Sequence, residues 1–460
     1  MDVRHPDRNA IERFSRGQTP AVEERWIEDH LRSGCAICQR EVDVLLTLTL
    51  APVPFGEPGR HELEPGPEEL NREEAGWDRL FATLERRLAQ VSVERRDAPA
   101  LLAELLGHRP REREILACNS GRFQTLALCE LLIDKSFEEG FRDAFRSIEL
   151  AELGILVAGL LDGKRYGRSV VCDLEARAWA HLGNARRIAF DLPGAEEALA
   201  TAERLAESGS ADPLEEARIL DLRASLLSDQ GRFEQAAELL DAVIDIYDEL
   251  REPHRKGRAM ISKGVFLGYA GWPEEAIRQI RKGLGITDWD REPRLVLMAR
   301  HNLAWFLNDC GRGEEARQHL QRFRHTYRDY DDSWTELRLA WLSGRIAAGL
   351  GGFAEAEETF QELRRRFLAE SNGYDAALVT LDLANLYLRQ GRGPEVRELA
   401  EEMLDVFLSH DIHRQALAAL TVFQKAAELD NATPHLVQEI SSYLNRARRN
   451  PSLRFEPAAA

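Results

Sequence analysis

Five short stretches of the chain, "GRFEQA", "GWPEEA", "GRGEEA", "GGFAEA" and "GRGPEV", begin at Gly231, Gly271, Gly311, Gly351 and Gly391, each 40 residues after the last. A fixed period of this kind marks a repeat array, in which every unit buries its apolar face against its neighbours. A sixth stretch, "FDLPGA" at Phe190, fits with an offset of one residue. An apolar pattern of helical period precedes each glycine and another follows it, so the spacing predicts helical hairpins with the glycine at the turn.

Two further series keep the same ruler. Seven residues before each turn stands a small residue: Gly183, Ala224, Gly264, Ala304, Gly344 and Ala384. Five residues after it come Ala195, Ala236, Ala276, Ala316 and Ala356, with Val396 as the exception. Small side chains at both places let paired helices approach closely. Leu199, Leu240, Ile280, Leu320 and Phe360, nine residues after the turn, are expected to form the bulky layer between units.

With a small residue, a turn glycine, a small residue and a large apolar residue at these offsets, residues 169–430 resemble the tetratricopeptide repeat family. The resemblance implies an α-solenoid that presents a surface to protein partners. The period exceeds that family's usual length of about 34 residues. The extra residues are expected to lengthen both helices or the link between hairpins, as in "LREPHRKGRAM". Upstream, residues 69–168 read as degenerate repeats, with "NSGRFQTLALCELLIDKSFEEGF" echoing "GRFEQAAELL". Downstream, residues 431–460 read as a capping helix starting at Thr433 and Pro434, followed by a tail.

Composition narrows the function. Across 460 residues the formal charge is −18, which disfavours broad contact with nucleic acid or an anionic membrane. The longest apolar run, "VDVLLTLTLAPVP", holds about ten apolar positions, against roughly 20 for a membrane-spanning helix. The start "MDVRHPDRNAIERF" is charged where an export signal needs an apolar stretch, so a reducing cytoplasm is expected. Cys118, Cys129, Cys172 and Cys310 then read as small apolar residues within helices.

Cys35 and Cys38 differ, because the two-residue gap in "HLRSGCAIC" brings two thiolates within reach of one ion. A Pro- and Gly-rich linker, residues 51–68, separates them from the array, leaving residues 1–50 as a module too small for a stable core of its own. Small modules commonly recruit a structural metal. His30, Cys35 and Cys38 supply three zinc ligands, and His5 is the best fourth, because two helices around "RGQTP" would bring it back to His30. A leading His-Pro, a helix, a Gly-x-Thr-Pro turn, a helix ending in His-Leu and then Cys-x-x-Cys resembles the zinc-binding anti-sigma factor domain over residues 3–48. In that family the zinc domain docks a sigma factor and keeps it from RNA polymerase. Its ligands carry over to His5, His30, Cys35 and Cys38, here with four residues between His30 and Cys35 where the family has three. Gly34 offers the left-handed turn that could absorb the extra residue. The zinc would be structural or redox-sensing.

No phosphate loop, no His-Glu-x-x-His and no Gly-x-Ser-x-Gly occurs, and the chain is expected not to be an enzyme. If the array binds a peptide, the first helix of each hairpin should line the groove. The position six before the turn gives Asn184, Ser225, Val265, Trp305, Arg345 and Asn385. Asn184, Arg345 and Asn385, with Arg187 and Asn308 one turn on, are the candidates for fixing a peptide backbone or carboxylate. The reading is therefore all-α: a zinc-stabilised helical module plus an α-solenoid of tetratricopeptide-like hairpins. As a cytoplasmic bacterial regulator it would bind protein partners, a sigma factor among them. The alternative is an interaction scaffold or peptide-binding adaptor for a neighbouring enzyme, the zinc module being only structural.

Overall fold

The computed structural model describes residues 88–140, 142–330, 332–408, 414–448 and 453–455, and every regular element among them is helical. His5, His30, Cys35 and Cys38, and the linker that follows them, lie outside the described residues. Two compact units divide the chain, Met1–Leu222 and Arg223–Ala460.

In the first unit, residues 88–106 form α1, followed by α2 (Pro110–Asn119), α3 (Leu126–Glu139), α4 (Ala144–Gly159), the single turn α5 (Gly163–Tyr166), α6 (Arg168–Ile188) and α7 (Leu192–Ala206). Helix α6 pairs with α7 and also packs on α3 and α4. Leu128, Cys129, Leu132, Ile133 and Val157 are wholly buried there. Cys129 thus behaves as the small apolar residue expected, whereas Cys118 is exposed. Helix α8 (Pro213–Asp229) carries the boundary between the units.

The second unit continues with α9 (Phe233–Glu249), α10 (Pro253–Tyr269), α11 (Pro273–Ile286), α12 (Pro293–Asp309), α13 (Gly313–Phe323), α14 (Ser333–Gly349), α15 (Phe353–Ala369), α16 (Gly373–Arg389), α17 (Gly393–Leu408), α18 (Arg414–Glu428) and α19 (Pro434–Ala447). The period of the sequence is explained by α14, α15 and α16. Helices α14 and α15 have 17 residues each, and three-residue links follow both, which places the start of α16 at Gly373, 40 residues after Ser333. The residues beyond the usual repeat length therefore lie in the helices. In "LREPHRKGRAM" the link is only Leu250 to Glu252, because Pro253 already begins α10 with its fixed backbone angle and missing donor.

The turn glycines adopt the left-handed conformation, with φ from +70° at Gly391 to +92° at Gly271. That conformation carries almost no penalty for glycine and reverses the chain within three residues. At the offset turn Phe190 takes the same role with φ 64°, and Asp430, with φ 56°, makes a further turn between α18 and α19. Helix α19 starts as the sequence indicates, with the Thr433 hydroxyl accepting from Leu436 N–H at 3.1 Å and Pro434 in the first turn. It packs on α16 as well as α18, closing this end of the unit with Tyr443 and Leu444.

The small and large series meet within a hairpin. A Cβ placed on Gly183 would come 2.8 Å from Leu199, one on Gly264 2.6 Å from Ile280, and one on Gly344 2.9 Å from Phe360. The residue nine after the turn therefore presses on the residue seven before it in its own hairpin, where the sequence suggested a layer between units. Close contact of this kind leaves no room for even one added methyl without displacing a neighbour.

Candidate protein-binding face

In the second unit the first helices of successive hairpins touch one another directly, α10 with α12, α12 with α14 and α14 with α16. Each second helix is held between first helices, as α15 is between α14 and α16. The first helices thus form a continuous face, and three of the polar residues chosen from the period, Asn308, Arg345 and Asn385, belong to its helices, whereas Asn184 and Arg187 lie on α6 in the first unit.

At its centre Arg345 on α14 donates from Nη1 to Asp382 Oδ1 on α16 at 2.6 Å and from Nη2 to Asp309 Oδ1 on α12 at 2.8 Å. Its guanidinium also lies 4.2 Å from the Trp305 ring centre, and Trp305 meets Trp341 edge to face at 5.7 Å. Trp341 completes the group by donating its indole N–H to Asp382 Oδ2 at 2.7 Å. Charge-assisted bonds and a cation over an aromatic face reinforce one another here, tying three hairpins together. Desolvation raises the Asp309 pKa, outweighing the pull of Arg345, although its side chain is 29 % exposed. For Arg345 the two carboxylates win over burial and raise its pKa further, so it stays charged.

Arg345 is therefore a clamp between repeats whose hydrogen-bonding fork is already engaged. Asn308 and Asn385 are in a different state: both are half-buried, and neither Oδ1 has a hydrogen-bond partner among the described residues. An unpaired buried amide oxygen costs about 1–3 kcal/mol, and a side chain that turns outward to meet an N–H group recovers that cost. Asn308 also abuts Gly349, where an added Cβ would come 2.3 Å from its Oδ1. In the first unit, Asn184 and Arg187 meet each other, Nε and Nη2 of Arg187 donating to Asn184 Oδ1 at 3.2 and 2.9 Å. Nearby on α6, Arg177 Nε donates to Glu215 at 2.8 Å, and burial holds His181 neutral with its pKa lowered to about 3.

Asp309, Trp341 and Asp382 escaped the sequence reading. Their signal is periodic all the same: Arg345 bonds to carboxylates 36 residues back and 37 residues on, one repeat displaced by one helical turn. Among the described residues no cluster of three or more His, Cys, Asp or Glu side chains could hold a metal ion, and no helix is long and apolar enough to cross a membrane.

Residues 296–328, α12 through the short helix after α13, match the family model described as tetratricopeptide repeat. A search among curated proteins gives no match. Among solved structures, a Rap protein complexed with competence and sporulation factor is similar at 14 % identity, covering 70 % of this chain and 91 % of that one with a TM-score of 0.53. Aspartyl phosphate phosphatase F from Bacillus subtilis is similar at 12 % identity, covering 86 % of this chain and 92 % of that one with a TM-score of 0.48. The apo form of RapI gives 12 % identity, 71 % and 96 % coverage and a TM-score of 0.48. At these identities the first likeness is one of fold alone. Together with the repeat match, the hairpin stack makes this chain a tetratricopeptide-like helical repeat protein in architecture.

Proposed function

We propose that this chain is a non-enzymatic scaffold that holds a segment of a partner protein along the first-helix face of its second unit. The observation that carries this reading is the pair of amide side chains, Asn308 and Asn385, each half-buried with an enclosed Oδ1 that has no partner among the described residues, beside a face knitted together by Arg345 and its carboxylates. An extended peptide offers backbone N–H groups to these amides when they turn outward, while the half-buried Trp305 gives its side chains an apolar surface. The fold is shared with a Rap protein complexed with competence and sporulation factor, which supports the use of the architecture for binding, not the identity of the ligand. Selection of a displayed peptide library on the full chain should return a recurrent motif. Asn308→Ala and Asn385→Ala should each weaken its binding about tenfold with helix content unchanged. Equal affinity in both variants would dismiss the face as the site.

The zinc reading of residues 1–50 is supported by motif spacing. In it His5, His30, Cys35 and Cys38 hold one zinc ion that folds the module. Elemental analysis of the full chain should find close to one zinc per chain, lost in the Cys35→Ser, Cys38→Ser double variant. Docking of a sigma factor rests on the same motif resemblance alone, so the scaffold reading, which draws on the face described above, is preferred.

A further inference from the structure

Helix lengths depart from the regular pattern at α11 and α13, although Gly271, Gly311 and Gly351 keep the 40-residue spacing. Helix α11 stops after 14 residues, where the regular units have 17, and a six-residue link, 287–292, follows it; α13 stops as an α-helix after 11 and tightens into a 3-10 helix, Arg324–Asp329. Beside these helices lies an open cavity of about 520 Å³ lined by Leu284, Trp289, Arg300, His319 and Arg322, with Arg281 and Glu315 at its side. That volume falls in the range of small-molecule sites, roughly 300–1,000 Å³.

The lining carries three guanidinium groups against one carboxylate, in a chain whose net charge is −18. Glu315 is occupied by Arg281 and Arg312. Arg300, half-buried, has no carboxylate partner among the described residues, and its guanidinium is stacked 4.2 Å from the Trp289 ring centre. Desolvation lowers the pKa of Arg300, the direction expected for a cation without a counter-charge. Trp289 is 52 % exposed, yet its orientation is fixed by donation from Nε1 to Leu284 O at 3.0 Å. The burial of His319 and its arginine neighbours lower its pKa to about 4, so it adds a flat neutral ring, packed 4.8 Å from Phe323. A held indole, the half-buried His319 ring, and two arginines, Arg300 and Arg322, without carboxylate partners among the described residues suit a ligand with an anionic end and a planar body.

We propose that this cavity binds a small phosphomonoester on a flat apolar body, of the size and class of a mononucleotide. Arg300 and Arg322 take the phosphoryl oxygens, and the planar body lies against the exposed part of the Trp289 indole. The site is separate from the peptide face and stands whether or not that face binds a partner. Calorimetric titration of the full chain with AMP, adenosine and inorganic phosphate tests it. AMP should bind saturably at one site per chain, with adenosine and phosphate each weaker by about tenfold or more. Arg300→Gln and Arg322→Gln should each reduce AMP affinity by about tenfold, and Arg365→Gln, on the exposed side of α15, should leave it unchanged. Arg322 is exposed, so its variant folds normally and keeps the test decisive. Absence of AMP binding up to about 1 mM, or unchanged affinity in both pocket variants, would overturn the proposal.

Discussion

Gly264→Ala is expected to destabilise the second unit by about 2–3 kcal/mol, while Gly285→Ala in the same hairpin stabilises it by about 0.5 kcal/mol. The chemical change is identical, and helix propensity favours alanine at both places. What differs is space. A Cβ at Gly264 would come 2.6 Å from Ile280 Cγ1 and 2.9 Å from the Ala276 carbonyl oxygen, and a backbone atom cannot step aside as a side-chain tip can. Around Gly285 nothing lies within 4 Å, so the added methyl only removes unfolded-state freedom. Urea unfolding of the two variants measures the contrast. A stabilising effect at Gly264 would mean that the helices of this hairpin are not in the contact described.

The second large effect concerns the clamp. Arg345→Met should cost roughly 2–3 kcal/mol, below the 3–5 kcal/mol of fully buried pairs because the Arg345 and Asp382 side chains remain 23 % and 14 % exposed. Losing the guanidinium leaves Asp309 and Asp382 desolvated and facing each other across α14 without a counter-charge. Adding Asp309→Asn and Asp382→Asn to Arg345→Met should recover most of the loss, since the cost lies in the uncompensated carboxylates. Arg345→Lys should recover little, because an ammonium cannot fork to both acids and lie flat on Trp305. Thermal unfolding of the series gives the ranking. A triple variant no more stable than Arg345→Met would assign the loss to packing instead.

Much of this architecture could be read in advance, for a physical reason. A three-residue reversal needs a left-handed residue at a fixed place, and glycine meets that need most cheaply, so Gly231 to Gly391 mark the hairpins openly. Phe190 and Asp430 make the same turn with side chains that disguise it. The small residues at Gly183, Gly264 and Gly344 were legible as close approaches, but not what pressed on them, since partner identity depends on how two helices rotate about their axes. Arg345 was legible as a residue on the face and illegible as a clamp, because its partners belong to the repeats before and after its own. The cavity beside Trp289 lies where helix lengths depart from the pattern, an irregularity to which a periodic reading is blind.

The central claim is that partners are held on the first-helix face, and site-specific photo-crosslinking inside the source cells tests it most directly. A photoreactive residue replaces Asn385 on α16 in one strain and Arg365, 74 % exposed on α15, in another. The account predicts a discrete adduct with one partner protein from position 385 and none from position 365. Adducts from position 365 alone, or the same adduct from both, would contradict it.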